Sequence, residues 1–239
     1  MSLLLINAGN TRTVMARGTA VDGRLLTAPE RLDERLSVGD LQELADCIVG
    51  LRREGELVGL TSVVPAVTDT LKAAIPDLRS VDHTWELPFG VAIRGTETVG
   101  ADRWCNMAAA VQAGLRDALV VDAGTATTID VLHDGVFVGG LIAPGMAFAA
   151  RKLQEEAARL WPVAFAPRPL RPGRDTDEAL AIGAYQVGIL GVIGAVEGLL
   201  AEYSTARVIL TGGLASYLQR PDWMVDPDWT LRGLAALLA

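Results

Sequence analysis

One short stretch occurs twice in this chain and decides its fold. Residues 4–11 read LLINAGNT, and residues 119–126 read LVVDAGTA. Each copy is an apolar run that ends in Asn or Asp, continues with Ala-Gly and closes on small or polar residues. Asn7 and Asp122 are 115 residues apart, close to half of the 239-residue chain. A repeat at half the chain length indicates a duplicated domain with a cleft between the copies.

The elements predicted around the two copies are also alike. Each copy begins a set of strands joined by an Asp-Gly turn, Asp22-Gly23 in the first half and Asp134-Gly135 in the second. The predicted strands cover residues 3–6, 13–17, 24–27, 57–64, 81, 91–93, 118–121, 127–132, 136–142 and 207–210. The predicted helices cover residues 37–53 (with Ser37 as N-cap), 66–75, 100–115, 146–160, 175–203, 214–219 and 230–238, with a proline-rich loop at 162–174. Mixed sheets alternating with helices predict an α/β protein with domains 1–115 and 116–239.

Composition excludes several classes of function. The chain has 29 acidic and 21 basic residues, a net charge of −8, so binding to nucleic acid phosphates is not expected. Two histidines and two cysteines are too few for most zinc or disulfide frameworks. Cys47 and Cys105 are predicted to be free, buried thiols, which indicates a reducing cytoplasm.

No leader or membrane segment is expected either. The N-terminal residues lack a basic region followed by a long apolar run. Residues 187–200 come nearest to a membrane span, but they are interrupted by glycines and contain Glu197, so a buried helix is predicted there.

Three turns have the composition of phosphate-binding loops. Gly9 lets backbone amides approach an anion, while Thr11 and Thr13 add hydroxyl groups and Arg12 adds a positive charge. The second copy offers a matching turn at Gly124-Thr125, and an apolar strand before Gly212-Gly213 forms a third. Taken alone, each of the first two turns is better explained as an ordinary hairpin, and the third is equally compatible with a strand-to-helix turn. Two of them at equivalent places in a repeat favour a nucleotide held between two lobes.

A candidate base opens the central helix, in the stretch GADRW at residues 100–104. Asp102 in the first helical turn is compatible with a capping role. It is also compatible with a general base that accepts a proton from a substrate hydroxyl during phosphoryl transfer. Arg103 is either an exposed helix charge or a partner for a substrate anion.

These stretches together resemble the type III pantothenate kinases, members of the actin, heat-shock chaperone and sugar-kinase superfamily. The resemblance covers nearly the whole chain. Its most specific parts are GADR at residues 100–103 and DAGTATT at 122–128, and it also includes NAGNT at 7–11, SVVP at 62–65, GGLIAPG at 139–145, TGG at 211–213 and LRGL at 231–234.

The resemblance implies two ribonuclease-H-like domains of the actin-like ATPase type, with ATP in the cleft between them. It implies transfer of the γ-phosphoryl group of ATP to pantothenate, the first step toward coenzyme A. Asp102 would be the catalytic base, and Gly100, Ala101 and Arg103 would contact pantothenate. Thr176 would reach the substrate from the neighbouring subunit of a homodimer, whose interface holds pantothenate.

The resemblance also implies the cofactors and their ligands. Asp122 would bind a monovalent cation, K⁺ or NH₄⁺, that helps to hold ATP. Together with the turns described above, the expected ATP contacts are Asn7, Ala8, Gly9, Asn10, Thr11, Arg12, Thr13, Val14, Gly124, Thr125, Gly212 and Gly213.

Two positions depart from the family pattern. Asn7 stands where the family has an aspartate that helps to place Mg²⁺, and the neutral amide predicts a weaker hold on Mg²⁺. The family often has a tyrosine before GADR, whereas residues 92–99 offer Arg94 and Gly95 and no tyrosine. The leading hypothesis is an active pantothenate kinase. The alternatives are a catalytically weak nucleotide-binding homologue with a regulatory role, related to transcription accessory factors, and a kinase for another small hydroxylated substrate.

Overall fold

The computed structural model describes residues 1–22, 24–37, 39–157 and 163–238. The strands are, in chain order, β1 (Ser2–Ala8), β2 (Arg12–Val21), β3 (Arg24–Leu25), β4 (Glu30–Leu36), β5 (Leu57–Ser62), β6 (Arg79–Ser80), β7 (Gly90–Val91), β8 (Ala118–Ala123), β9 (Ala126–His133), β10 (Val136–Pro144), β11 (Arg207–Thr211) and β12 (Met224–Val225). The α-helices are α1 (Leu41–Leu51), α2 (Pro65–Ala74), α3 (Ala101–Gln112), α4 (Met146–Glu156), α5 (Thr176–Glu202) and α6 (Trp229–Leu238). Short 3₁₀ turns cover Thr96–Thr98 and Ala215–Leu218.

The chain forms two compact units. The first unit comprises Met1–Arg116, Asp134–Val138 and Asp228–Ala239, and the second comprises Asp117–His133 and Gly139–Pro227. The chain first switches between units after Arg116, one residue beyond the expected boundary at residue 115. The assignment of the C-terminal residues to the second domain is wrong, because α6 packs on α3 and on strands β1 and β5 of the first unit.

The sheet of the first unit is covered on both faces. Its strand order is β3-β2-β1-β5-β6, and β4 pairs with β2. Leu4 and Ile6 of β1 face the side chains of α1 and α2 in one core. Their neighbours Leu3 and Leu5 are also fully buried, as expected where α6 packs on the opposite face of β1. This double burial explains the uninterrupted apolar run that opens the sequence.

The second unit repeats the same local topology. Its strands have the order β12-β11-β8-β9-β10. β8 pairs antiparallel with β9 and parallel with β11, just as β1 pairs antiparallel with β2 and parallel with β5. Each copy of the repeat therefore covers the end of an equivalent strand and the start of an equivalent hairpin. The predicted duplicated α/β fold is confirmed.

Most predicted elements are present within a few residues of their expected bounds, and the exceptions have physical causes. β4 was not predicted because its sequence, ERLDERL, is dominated by charges, which suit a strand paired to a single neighbour. Helix α1 begins four residues later than predicted, since Asp40 caps it by accepting from the amides of Gln42 and Glu43. Ser37 is therefore not the N-cap. The predictions that fall on Gly23, on Val38, on residues 158–160 and on Pro162 lie outside the described residues.

The prediction of a buried helix at residues 187–200 is also wrong. By length and composition alone, helix α5 is long and apolar enough to cross a membrane, but the core helices of soluble proteins can be equally long and apolar. Only 28% of its most apolar 18-residue stretch is buried, and Val187 is 71% exposed. The helix therefore presents an apolar face that the described residues leave exposed. Cys105 is buried as predicted, whereas Cys47 is half-buried, and both are free.

Helices α3 and α6 cross so closely that the contact point requires a residue without a side chain. A Cβ on Gly233 would lie 1.7 Å from the carbonyl oxygen of Cys105 in α3. Because the obstacle is backbone, the helices would have to separate to admit it.

We expect Gly233→Ala to lower the free energy of unfolding by about 2–4 kcal/mol, measured by urea denaturation. Gly50→Ala is the matched control, since Gly50 also lies in a helix and a Cβ there meets nothing within 4 Å. The control should be neutral or slightly stabilising. Equal stability of the two variants would contradict the close crossing.

Candidate functional site

The first candidate phosphate turn connects β1 to β2. Asn7 and Ala8 pair with Val14 and Thr13 across the hairpin, and the Gly9 amide donates to the Arg12 carbonyl at 2.9 Å. Residues 10–12 at the tip are exposed. The positive charge expected from Arg12 is paired with Glu34 on β4. The turn is therefore a tight hairpin whose tip is accessible to a ligand.

The expectation that the Thr13 hydroxyl donates to phosphate is corrected by the structure. Thr13 is completely buried, and its Oγ1 lies 2.9 Å from the Oγ of Ser37. Its side chain points to the interior because alternate residues of β2 face the core. Thr11 at the tip remains exposed.

Val63 links this turn to the helix that carries the candidate base. Strands β1 and β5 are parallel, so both end at the same edge of the sheet, with Ala8 opposite Ser62. The amide of Val63 donates to the Ala8 carbonyl at 3.1 Å. The Val63 side chain lies against Gly100, where a Cβ would be 3.1 Å from Val63 Cγ1. One residue of the SVVP stretch therefore touches both parts of the site.

Asp102 lies in the first turn of α3, as predicted, and its position depends on Gly100. A Cβ on Gly100 would lie 2.6 Å from Asp102 Oδ1. The same oxygen accepts a hydrogen bond from the Arg103 amide at 2.8 Å, while Gly100 is the N-cap. Asp102 is thus not the capping residue, and its carboxylate occupies the space that a side chain at position 100 would take.

Burial makes Asp102 a stronger base than an ordinary aspartate. Desolvation raises its pKa, and this effect outweighs the Arg103 amide hydrogen bond and the Arg103 charge, which both lower it. A carboxylate with a raised pKa holds an accepted proton more tightly, which suits proton transfer from a hydroxyl group.

Arg103 is held by an aromatic cluster that the sequence did not reveal. Trp104 is 1% exposed and packs between Phe89, at a centroid distance of 6.4 Å, and Phe137, at 5.7 Å. The guanidinium of Arg103 lies over the Phe137 ring at 5.4 Å. Phe137 comes from the start of β10, 34 residues away in sequence, so no local pattern could identify it. Ala101 is 6% exposed, so little of its surface is accessible to a ligand.

The predicted cation ligand Asp122 ends β8 in the second unit. It pairs in register with Thr128 on β9 and with Thr211 on β11, which places three oxygen-bearing side chains in a row across the sheet. Gly212 follows with φ +85°, and a Cβ there would lie 2.4 Å from Asp122 Oδ1. The amide of Leu214 then donates to the Ala123 carbonyl at 3.0 Å. The TGG stretch is therefore a turn in which the backbone of Gly212 packs against the Asp122 side chain.

The turn at Gly124-Thr125 is held by the start of α4. The amide of Gly145 donates to the Thr125 carbonyl at 2.9 Å, and Gly145 is the N-cap of the helix. A Cβ on Gly145 would lie 2.1 Å from the Gly124 carbonyl oxygen. The last glycine of GGLIAPG thus lets a helix N-terminus, with its partial positive charge, dock on the turn.

Asp122 and Thr128 place oxygen atoms side by side, of the kind that a cation or a phosphate group contacts. Thr128 Oγ1 is buried and has no hydrogen-bond partner among the described residues. A buried hydroxyl without a partner is costly, and a bound ligand would relieve that cost. No group of three or more His, Cys, Asp or Glu residues suited to a metal occurs in the described part of the chain. Mg²⁺ commonly binds through one or two carboxylates plus substrate phosphates, so a bound ATP would have to supply part of its coordination.

Thr176, the predicted substrate contact across a dimer, is the first residue of α5. It is exposed, and the preceding Asp175 caps the helix by accepting from the Glu178 amide at 2.8 Å. Thr176 belongs to the second unit and Asp102 to the first, and both residues stay candidates.

A family model for "Type III pantothenate kinase" matches residues 3–202 of the chain. The type III pantothenate kinase of Fervidobacterium nodosum is 32% identical over 249 residues, covering 97% of this chain and 95% of the relative. That of Thermomicrobium roseum is 34% identical over 254 residues, with the same coverage.

Solved structures share the fold at low sequence identity. A Baf family protein from Campylobacter jejuni has a TM-score of 0.60 at 21% identity, covering 99% of this chain and 97% of that one. A glucokinase of the ROK family from Streptomyces griseus has a TM-score of 0.56 at 12% identity, covering 100% of this chain and 99% of that one. These similarities place the chain among actin-like ATPase folds.

The raised pKa of Asp102 predicts how its charge affects stability. The folded protein loses stability as the pH rises through this raised pKa, since the unfolded chain releases the proton more easily. Asp102→Asn removes that loss. We therefore expect the variant to gain stability relative to the native protein between pH 4 and pH 7.5, measured by urea denaturation at both values.

Asp69→Asn, at an exposed position of α2, is the control and should show no such gain. An Asp102→Asn variant that is no more stabilised at pH 7.5 than at pH 4 would contradict the raised pKa.

Proposed function

The chain belongs to the type III pantothenate kinase family, and we propose that it phosphorylates pantothenate with ATP to give 4′-phosphopantothenate, the first step of coenzyme A biosynthesis. The observation that carries this proposal is the contact of Val63 with both Ala8 and Gly100. It brings a turn suited to phosphate and a half-buried carboxylate to the same edge of one sheet, as phosphoryl transfer to a hydroxyl group requires.

In the proposed reaction, Asp102 accepts the proton of the primary hydroxyl of pantothenate. The hydroxyl oxygen forms a bond to the γ-phosphorus as the bond to the β–γ bridging oxygen breaks, which releases ADP. The raised pKa of Asp102 favours this proton transfer. The hydrogen bond from the Arg103 amide keeps one carboxylate oxygen fixed, so the other is oriented for the substrate.

Arg103 is the proposed partner of the pantothenate carboxylate. A guanidinium held over an aromatic ring keeps its in-plane N–H groups directed outward, which suits bidentate binding of a carboxylate. Phe137 and Trp104 supply that support.

ATP is proposed to contact the turn from Asn7 to Val14 and the turns at Gly124-Thr125 and Gly212-Gly213. Backbone amides and the N-terminus of α4 suit its phosphates in this otherwise acidic protein. Asp122 and Thr128 fit a monovalent cation, K⁺ or NH₄⁺, beside them. Mg²⁺, when bound with ATP, neutralises phosphate charge, and Asn7 would offer it an amide oxygen where the family has a carboxylate.

A homodimer with pantothenate at its interface is also proposed, in the cytoplasm and without nucleic acid or membrane partners. The apolar face of α5 supports it, with Val187 71% and Leu190 45% exposed. Such a face is commonly covered by a partner. Thr176 opens the same helix and would reach the partner's substrate. Sedimentation of a monomer at micromolar concentration would contradict this arrangement.

The kinase proposal is tested by ADP release with ATP, Mg²⁺ and pantothenate, with 4′-phosphopantothenate identified by mass spectrometry. We expect turnover that depends on pantothenate, and a loss of about 10²–10⁴-fold in kcat for Asp102→Asn because the general base is removed. Asp69→Asn should keep the native rate. ATP binding without pantothenate-dependent turnover would favour the regulatory homologue, and turnover with another hydroxylated substrate alone would favour a different kinase.

The same assay measures the effect of Asn7. If the missing carboxylate weakens the hold on Mg²⁺, Asn7→Asp should raise turnover at low Mg²⁺. A tenfold rise would correspond to about 1.4 kcal/mol of transition-state stabilisation. An unchanged rate over the whole Mg²⁺ range would show that the chain functions with the amide.

A further inference from the structure

We propose that Ser37 is a positioning residue for the first phosphate turn, one that sets nucleotide affinity without touching the nucleotide. The inference rests on the proposed function, because it assigns a nucleotide to that turn. Ser37 follows β4, a strand that the sequence did not reveal, and it is 2% exposed. It makes two separate contacts with the turn.

The first contact is through the backbone. The Ser37 amide donates to the Thr11 carbonyl at 3.0 Å. Arg12 and Leu36 are the last register pair of the β2–β4 ladder, so this bond extends the ladder by one residue into the tip of the turn. A trans peptide places its carbonyl and its N–H on opposite sides. Holding the Thr11 carbonyl toward β4 therefore directs the Arg12 amide away from β4.

The second contact is through the side chain. Ser37 Oγ and Thr13 Oγ1 are 2.9 Å apart, and both residues are buried. Each hydroxyl can donate or accept, and a hydrogen bond in such a dry environment is stronger than one in water. If either oxygen is removed, the other loses this partner inside the protein.

Together these contacts fix the turn on both sides of Arg12. Thr11 is held by its carbonyl and Thr13 by its hydroxyl, so the intervening peptide groups have little freedom. A turn whose amides are already oriented loses less entropy when it binds phosphate, which strengthens binding without adding a contact. The rest of β4 pairs with β2 from Thr13 to Arg17, so losing the Ser37 hydroxyl leaves the strand in place.

The chain offers variants that separate the hydroxyl from the bulk of the side chain. Ser37→Ala and Thr13→Val each remove one oxygen of the pair, and Thr13→Val keeps the shape of the residue. Thr13→Ser keeps the oxygen and removes the methyl group. Thr19→Val is the control, because Thr19 lies on the same strand but is exposed and far from the turn.

The test is calorimetric titration of each variant with Mg²⁺ and AMPPNP, a non-hydrolysable ATP analogue. We expect Ser37→Ala and Thr13→Val each to raise the Kd about fivefold to tenfold, and the double variant to be no weaker than either single one. Thr13→Ser, which keeps the hydroxyl, should bind more tightly than Thr13→Val, and Thr19→Val should bind like the native protein. In the kinase assay, Ser37→Ala should raise the KM for ATP more than it lowers kcat, with the KM for pantothenate unchanged.

Three results would overturn the proposal: an unchanged Kd for Ser37→Ala, additive effects in the double variant, or losses of affinity that follow losses of stability in urea across all variants. Calorimetry measures nucleotide binding without catalysis, so the kinase proposal and the Ser37 proposal can be refuted independently. A native protein without pantothenate-dependent ADP release, in which Ser37→Ala still weakens AMPPNP, would refute the kinase and keep the role of Ser37. A native protein that binds no AMPPNP would refute both.

Discussion

The chemistry proposed for this protein depends on the space beside Gly100. The Asp102 carboxylate and the Val63 side chain both occupy the place of a side chain at that position. Val63 in turn is hydrogen-bonded to Ala8, which ends the strand before the first phosphate turn. The absence of one Cβ thus allows the base and the phosphate turn to share one sheet edge. Burial at this position also raises the pKa of Asp102, so the packing that positions the carboxylate strengthens it as a base.

In the second unit, the absence of a side chain on a glycine allows close packing at two further positions. Gly212 lies against Asp122, and Gly145 lies against the Gly124 carbonyl, each at a distance that excludes any side chain. These contacts explain the glycines that follow strands β10 and β11 in the second unit. There, the approach of one backbone to another shapes a turn whose amides can meet an anion.

The repeat, the helices and the main strands could be predicted because apolar periodicity and turn residues are local signals. Asp102 was placed correctly in a first helical turn for the same reason. The contact between the Ser37 and Thr13 hydroxyl groups could not be predicted, because it depends on β4. That strand is rich in charges, and its sequence does not alternate between apolar and polar residues. Phe137 was missed because its contact with Arg103 joins distant segments. The exposure of α5 was mispredicted because an apolar sequence does not distinguish burial within a chain from burial by a partner.

The most direct test of this account is the turnover of Gly100→Ala with ATP, Mg²⁺ and pantothenate. An added Cβ must displace the Asp102 carboxylate or Val63, and a misplacement of about 1 Å can cost on the order of 10²-fold in rate. We expect a loss of that size in kcat, a free energy of unfolding within about 1–2 kcal/mol of the native value, and native turnover for Gly50→Ala. A Gly100→Ala protein with native kcat would contradict the account, because the carboxylate would then not depend on the space that the glycine provides.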